Sequence, residues 1–289
     1  MADCTTTQQR LSTKMTSVPE DHALLQQLET YLDAVPRSAA RVEPRGALTL
    51  FCKVGAGWPY YARPTPGWPE PVTADDVAAV RQRQRELELP ESFEWVQETT
   101  PSMWPAAKDA GLHVLALPLM VLDAALSATV PEGLRVRLLT ADDADLAAPT
   151  AVADVAFTAG GTGVGPAGVA ERDAAAGALG EDRLSLLRDR IRRGLTFSAM
   201  AEEPGVGPLC VGSHQPVGEV TEIVGVGTLP EARRRGLAAA VTAALVEHAG
   251  RLGVSTVFLS AGSDDVARMY AGVGFVRVGT SCLAEPPGA

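Results

Sequence analysis

Residues 224–239 read VGVGTLPEARRRGLAA, and no other stretch limits the fold and chemistry of this chain so tightly. A strand runs through Gly225 and Gly227 and ends at Thr228. A turn through Pro230 follows, and a helix opens behind Arg233, Arg234, Arg235 and Gly236. A strand that feeds a helix so directly belongs to a layered α/β domain, with the helix against the sheet. The first N–H groups of that helix have no intrahelical partner, and the dipole adds positive potential there. Such a helix start binds anions, and glycine at 236 lets a phosphate come close to the backbone. A pyrophosphate is the natural ligand. Gly225 and Gly227 in the strand mark close backbone approach.

The surrounding pattern gives the architecture. Strands are expected at 46–53, 57–63, 92–97 and 112–122, with Pro118 marking an edge or bulge. A helix capped by Thr73 is expected over 74–88, and a short one over 101–110 that ends at Gly111. Pro131-Glu132-Gly133 is the best boundary. Beyond it LRVRLLT alternates as a half-buried strand, and a helix is expected from Thr140. A Gly-rich break at 159–168 interrupts the helical region, and a charged helix fills 169–194. Strands follow at 195–202, 207–213 and 217–228, then a helix at 234–250, a strand at 255–260, a helix at 264–272 and a strand at 274–284. The expected order in this second part is β-α-α-β-β-β-α-β-α-β. The expected fold class is α/β with a mixed sheet. The expected division is a disordered segment at 1–20, a first domain at 21–130 and a catalytic domain at 131–289.

Arg233, Arg234, Arg235, Gly236, Leu237 and Ala238 have the form [R/Q]-x-x-G-x-[G/A] between a strand and a helix. One helix, one strand and a short loop later comes Tyr270-Ala-Gly-Val-Gly274-Phe275, of the form Y-x-x-x-G-F. Together these motifs resemble the acetyl-CoA-binding signature of the GNAT acetyltransferase superfamily. The resemblance implies that the strand before the turn splays from its neighbour. It implies that the backbone of Val226, Gly227 and Thr228 pairs with the pantetheine arm of acetyl-CoA. The region Arg233, Arg234, Arg235, Gly236, Leu237, Ala238 and Ala239 would then hold the pyrophosphate. It also implies that the Tyr270 hydroxyl serves as general acid toward the departing thiolate. The Asn often found seven residues before that tyrosine is Ser263 here, a departure in the loop ahead of the last helix.

Acyl transfer to an amine needs a neutral nucleophile, and an alkylammonium has a pKa of about 10.4, so a base must take its proton. Glu222 lies on the strand eleven residues before Arg233, an offset that matches the catalytic base of histone-type relatives. Glu222 is therefore the expected base and Glu219 the reserve. The expected reaction is direct attack of a small-molecule primary amine on acetyl-CoA in a ternary complex, with a strand amide near Val226 holding the oxyanion. The alternative is a catalytically silent acyl-CoA-binding sensor of the same fold.

Composition sets the other limits. The net charge is −10 and divides evenly at residue 130, which argues against a nucleic-acid partner. Cys4, Cys52, Cys210 and Cys282 lie far apart with no CxxC, so neither a metal site nor a disulfide framework is expected. The most apolar stretch, 112–128, is too short and too interrupted to span a bilayer. A cytoplasmic monomer or homodimer is expected. Of the histidines at 22, 113, 214 and 248, His214 is the one closest to a candidate for substrate contact.

The first part echoes the second. AAKDAGLHV (106–114) lies over MYAGVGFVR (269–277), with Gly111 over Gly274 and Ala107 where Tyr270 stands. The counterpart of the arginine-glycine turn is missing, since GWPEPVTADD occupies that stretch. The first domain is thus expected to be a degenerate GNAT-like copy, or a cap. Trp58, Tyr60, Tyr61 and Trp68 cluster in it. They could line an acceptor pocket or an interdomain seam, although packing is the commoner role of such a segment.

Overall fold

The computed structural model describes residues 18–55, 59–124, 126 and 128–288, with side chains from residue 22 onward. The first half runs α1 (Val18–Arg37), β1 (Ala40–Arg45), β2 (Leu48–Lys53), β3 (Ala62–Pro64), α2 (Ala74–Glu86), β4 (Phe93–Val96), α3 (Met103–Asp109) and β5 (His113–Leu122). The second runs β6 (Arg135–Leu138), α4 (Ala147–Thr158), α5 (Val169–Ala178), α6 (Glu181–Arg192), β7 (Phe197–Glu203), β8 (Gly207–Val217), β9 (Val220–Thr228), a 3₁₀ turn (Pro230–Ala232), α7 (Leu237–Arg251), β10 (Thr256–Ser260), α8 (Asp264–Ala271) and β11 (Phe275–Glu285).

Local chemistry explains several boundaries. The Thr73 hydroxyl accepts the Asp76 N–H while the Asp76 carboxylate accepts the Thr73 N–H, a reciprocal cap that starts α2. The helix expected from Thr140 begins seven residues later at Ala147. Asp143 accepts the Thr140 N–H and closes a turn, and Asp145 accepts the N–H groups of Ala147 and Ala148. The charged helix expected over 169–194 is two helices, because Leu179 is extended and Gly180 precedes α6. Of the segment expected to be disordered, residues 1–17 lie outside the described residues, and Val18–Glu20 open α1.

The described strands form one eleven-stranded mixed sheet in the order β1-β2-β3-β4-β11-β5-β10-β9-β8-β7-β6. Its centre is an exchange. β5, from the first half, lies between β10 and β11 and is antiparallel to both. β11, from the second half, pairs in turn with β4. Pro118 therefore sits in a central strand, not at an edge. Its neighbour β10 pairs only with Leu119–Val121, and β11 carries an irregularity between Arg277 and Gly279, opposite Leu119 and Met120. The two halves repeat one pattern across this centre. β3 is parallel to β4 and β9 is parallel to β10. α3 passes through Gly111 (φ +82°) into β5, and α8 passes through Gly274 (φ +115°) into β11.

Alternate residues sort the layers. In β4, Phe93 and Trp95 join Val77, Val80 and Met103 of α2 and α3. Val96 faces the other way, onto Leu25, Leu28, Tyr31 and Leu32 of α1 together with Val220 and Phe258. Ile223, Val257 and Leu259 pack with Val241 and Leu245 of α7. α2, α3 and α7 thus share one face of the sheet, and α1 crosses the other.

Candidate functional site

The parallel pair β9 and β10 is joined only over Val220–Glu222 against Thr256–Phe258. Beyond Glu222, β9 runs on to Thr228 without β10 beside it, while β8 still covers its other edge. The strands therefore splay, and Glu222 stands where the wedge opens. On the β8 side the register slips between Val211 and Ser213, opposite Gly227 and Val224. Three residue steps on β9 face two on β8, which is a bulge, and Gly225 at φ +63° is its left-handed residue. The bulge reverses which residues face α7. Val226 meets the α7 side, and Gly227 lies so close to α4 that a Cβ there would come within 2.9 Å of the Ala156 Cβ. The two strand glycines thus have separate reasons: Gly225 bends the strand and Gly227 admits α4.

At the end of the wedge the chain enters α7. Arg234 has φ +67°, an unusual value for a residue with a side chain, and Gly236 has φ +80°. The first helical bond of α7 runs from the Ala240 N–H to the Gly236 carbonyl. The N–H groups of Leu237, Ala238 and Ala239 precede that ladder and are the orphan donors of the helix start. Gly236 is set by its backbone, since a Cβ there would meet only Pro131 Cγ at 3.8 Å.

A cavity of about 680 Å³ joins these parts. Val226, Gly227 and Thr228 form its strand wall, and Arg233, Arg234 and Gly236 to Ala239 its helix-start wall. The Gly160–Thr162 loop and α8 residues, Tyr270 among them, close the remainder. Tyr270 is 5% exposed and packs edge-to-face on Phe275 at 5.5 Å. Burial raises its pKa well above that of a free phenol, partly offset by the Thr242 hydroxyl. Ser263, in the position where relatives often carry Asn, lines the cavity and caps α8 by accepting the Val266 N–H at 3.3 Å.

The three arginines divide their roles. Arg233 donates to the carbonyls of Ala156, Gly160 and Gly163 at 2.9–3.0 Å and to Thr228 at 3.3 Å. Its guanidinium binds the Gly-rich loop to the end of α4 and the end of β9. Glu231 extends that seam by accepting the Val169 N–H at 2.9 Å. Arg235 pairs with Glu203 at 3.0 Å near the surface. Arg234 carries no ion pair among the described residues and lines the cavity.

Glu222 is half-buried on the face opposite α7. Its N–H donates to the Tyr31 hydroxyl at 3.1 Å, and Tyr31 packs edge-to-face on Phe258 at 5.0 Å. Burial, followed by the charge of Glu94, pushes the Glu222 pKa up to about 8, with Arg63 pulling it back. Glu219 is in the exposed turn before β9, at the far end from the cavity. His214 is fully buried, its Nδ1 is 3.0 Å from the Thr221 hydroxyl, and its Nε2 is 2.9 Å from His248 Nδ1. It ties the sheet to α7 and does not line the cavity. Tyr60 and Tyr61 pack edge-to-face at 6.4 Å, Trp68 is exposed, and Trp58 lies outside the described residues. Sequence reasoning missed α1 and, with it, Tyr31. The apolar spacing of Leu24, Leu28, Tyr31 and Val35, and of Leu25 and Leu32, was the available signal.

Residues 177–275, which contain the bulged strand, the arginine-glycine turn and Tyr270, match the family model of the acetyltransferase (GNAT) family. This segment is a GNAT acetyltransferase domain. A GCN5-related N-acetyltransferase from Kribbella flavida is 20% identical, covers 92% of this chain and 96% of its own, and superposes with a TM-score of 0.68. A tandem GNAT protein from the clavulanic acid biosynthesis pathway is 17% identical over 84% of this chain and 79% of its own, with a TM-score of 0.53. A putative GNAT-family acetyltransferase from Novosphingobium aromaticivorans is 15% identical over 88% and 92%, with a TM-score of 0.51. No curated protein matches the chain. The GNAT fold thus extends beyond the matched segment into the two-part arrangement of the whole chain. Among the described residues no helix is long and apolar enough to cross a membrane.

Proposed function

We propose that the chain is an acetyl-CoA-dependent N-acetyltransferase that moves an acetyl group to the primary amine of a small molecule by direct attack in a ternary complex. The observation that carries this reading is the wedge between β9 and β10. It opens a backbone edge at Val226, Gly227 and Thr228 into the same cavity as the α7 start and Tyr270. A thioester arm lying along that edge forms strand-like hydrogen bonds. Its diphosphate meets the N–H groups of Leu237, Ala238 and Ala239, with the positive end of α7 behind them. Arg234 adds a charge on the same wall. Arg233 serves by holding the Gly-rich loop that closes the opposite wall, and Arg235 lies outside.

Glu222 takes the proton of the attacking amine, directly or through water, from its place at the root of the wedge. The nitrogen bonds to the thioester carbonyl carbon, and an amide N–H near Val226 holds the oxyanion. The carbon–sulfur bond breaks, and Tyr270 protonates the leaving thiolate. Its raised pKa keeps the hydroxyl protonated until then. We assign residues 131–289 as the catalytic domain and 21–130 as a GNAT-like copy without coenzyme chemistry, in keeping with Ala107 at the place of Tyr270.

Release of free thiol from acetyl-CoA, followed across a panel of primary amines, tests the reading. Turnover should depend on the amine, and Tyr270→Phe should lower kcat about 100-fold or more with acetyl-CoA affinity changed far less. Acetyl-CoA binding with no turnover on any amine would instead identify a silent acyl-CoA-binding protein.

A further inference from the structure

α1 holds two arms of the sheet together over the face that carries Glu222. From α1, the Glu29 carboxylate accepts from Arg63 Nη2 on β3 at 2.8 Å, from the Val96 N–H on β4 at 2.9 Å and from the Thr99 hydroxyl at 2.9 Å. Two residues on, the Tyr31 hydroxyl accepts the Glu222 N–H on β9 and donates to the Gln215 carbonyl on β8. These bonds fold the β3–β4 arm of the first half toward the β8–β9 arm of the second.

The side chains on that face follow from strand alternation. Ala62 and Phe93 belong to the opposite core, so Tyr61, Arg63 and Glu94 point to the α1 side, as Glu222 does. Arg63 is 1% exposed, its Nη1 is 3.9 Å from Glu94, and its guanidinium lies 5.8 Å from the centre of the Tyr61 ring. Its Nε finds no partner among the described residues. The Glu94 side chain is 33% exposed. The Glu222 carboxylate is half-buried and has neither an ion pair nor a hydrogen-bond donor among the described residues. Arg63 is held by Glu29 and lies 3.9 Å from Glu94, and Glu222 shares their face of the sheet. Glu94 and Glu222, which solvent reaches, are the two carboxylates left to take a cationic ligand.

Resting on the reading of Glu222 as the base, we propose that Glu94 and Tyr61 form the second half of the acceptor site and select acceptors carrying two amino groups. One amine gives its proton to Glu222 and attacks the thioester. The other stays an ammonium, paired with Glu94 and lying against the Tyr61 ring. Burial, with Glu285 adding to it, raises the Glu94 pKa to about 7 against the pull of Arg63 and the Tyr61 hydroxyl, and the Glu94 charge in turn raises that of Glu222. A dication meets both carboxylates where a monoamine meets one. The first half of the chain, which lacks the coenzyme motif, thereby acquires a role in the reaction.

The test compares unbranched α,ω-diamines of three to six carbons with monoamines of equal length. Rates are read as kcat/KM, and binding to the CoA-loaded protein is read by calorimetry. The wild-type protein should prefer the best diamine roughly ten- to a hundredfold, the scale of a charged hydrogen-bonded contact. Glu94→Gln should remove most of that preference through KM, and Tyr61→Phe a smaller part. The exposed Glu86→Gln should keep it. Equal use and equal binding of diamine and monoamine by the wild type, or a preference that survives Glu94→Gln, would overturn the proposal. Absence of turnover on every amine would count against the transferase reading alone. In that case Glu94-dependent diamine binding still supports the acceptor site, and its absence refutes it.

Discussion

Glu222 is a carboxylate placed where its charged form is disfavoured, and that makes it testable by pH. With a pKa near 8 it is largely neutral at pH 6, and as the proposed base it can take a proton only as the pH rises. At saturating amine, kcat of the wild type should climb through about pH 8, and Glu222→Gln should lack that limb. The ratio of wild type to variant therefore widens from pH 6 to pH 9. A constant ratio would make Glu222 a binding residue. Stability moves the other way. The folded protein holds a proton on Glu222 that the unfolded chain releases near the usual carboxylate range. Its contribution is full at low pH and is lost as the pH rises through about 8, so Glu222→Gln should gain in denaturation midpoint relative to wild type at pH 9. Calorimetry of the two proteins across that range measures it. The offset to the arginine-glycine turn singles out Glu222 in the sequence as the proposed base. The nearness of Glu94 to it was not legible, because that depends on how the two arms fold over α1.

Among the elements, α7 is anchored at both ends, by its glycine start and by the histidine pair near its C-terminus. His214 and His248 share one hydrogen bond, with Phe197 stacked on His214 at 5.2 Å. Burial, then the neighbouring His248, lowers the His214 pKa to about 4, and burial and Arg251 lower that of His248. The unfolded chain takes up protons near pH 6.5 that the folded pair refuses. Stability should therefore fall as the pH drops from about 6.5 toward 4. The fall should be shallower in His214→Gln, measured as the urea midpoint at each pH. An identical slope in both proteins would show that the pair stays unlinked to folding. Elements whose ends carry their own chemistry were legible in the sequence. Thr73 starts α2, and Gly111 ends the passage from α3 to β5. The start of α4 was misplaced because Asp143 closes a turn at Thr140 that resembles a helix cap. The reason for Gly227 was also invisible, since it lies in the approach of α4.

For the molecule as a whole, the exchange of β5 and β11 is the controlling feature. The echo between 106–114 and 269–277 pointed to two related halves, and a boundary between them was expected at 131–133. Neither revealed that each half supplies a strand to the other, because strand order is set by pairing between residues more than a hundred positions apart. A fragment of residues 131–289 would lose β5 from between β10 and β11 and leave Phe258 and Leu259 without their neighbours. That fragment should be unfolded or aggregated when made alone, and residues 1–130 supplied in trans should restore it. Far-ultraviolet circular dichroism and sedimentation read the outcome. A folded, monomeric fragment would show that the exchange is dispensable.

On the proposed function, the turn at Arg233–Gly236 and the open edge of β9 receive one coenzyme, and a crystal structure of the protein with CoA tests this most directly. The diphosphate should lie on the N–H groups of Leu237, Ala238 and Ala239, the pantetheine arm along Val226–Thr228 and the sulfur beside the Tyr270 hydroxyl. A coenzyme bound elsewhere, or a diphosphate away from the start of α7, would contradict it.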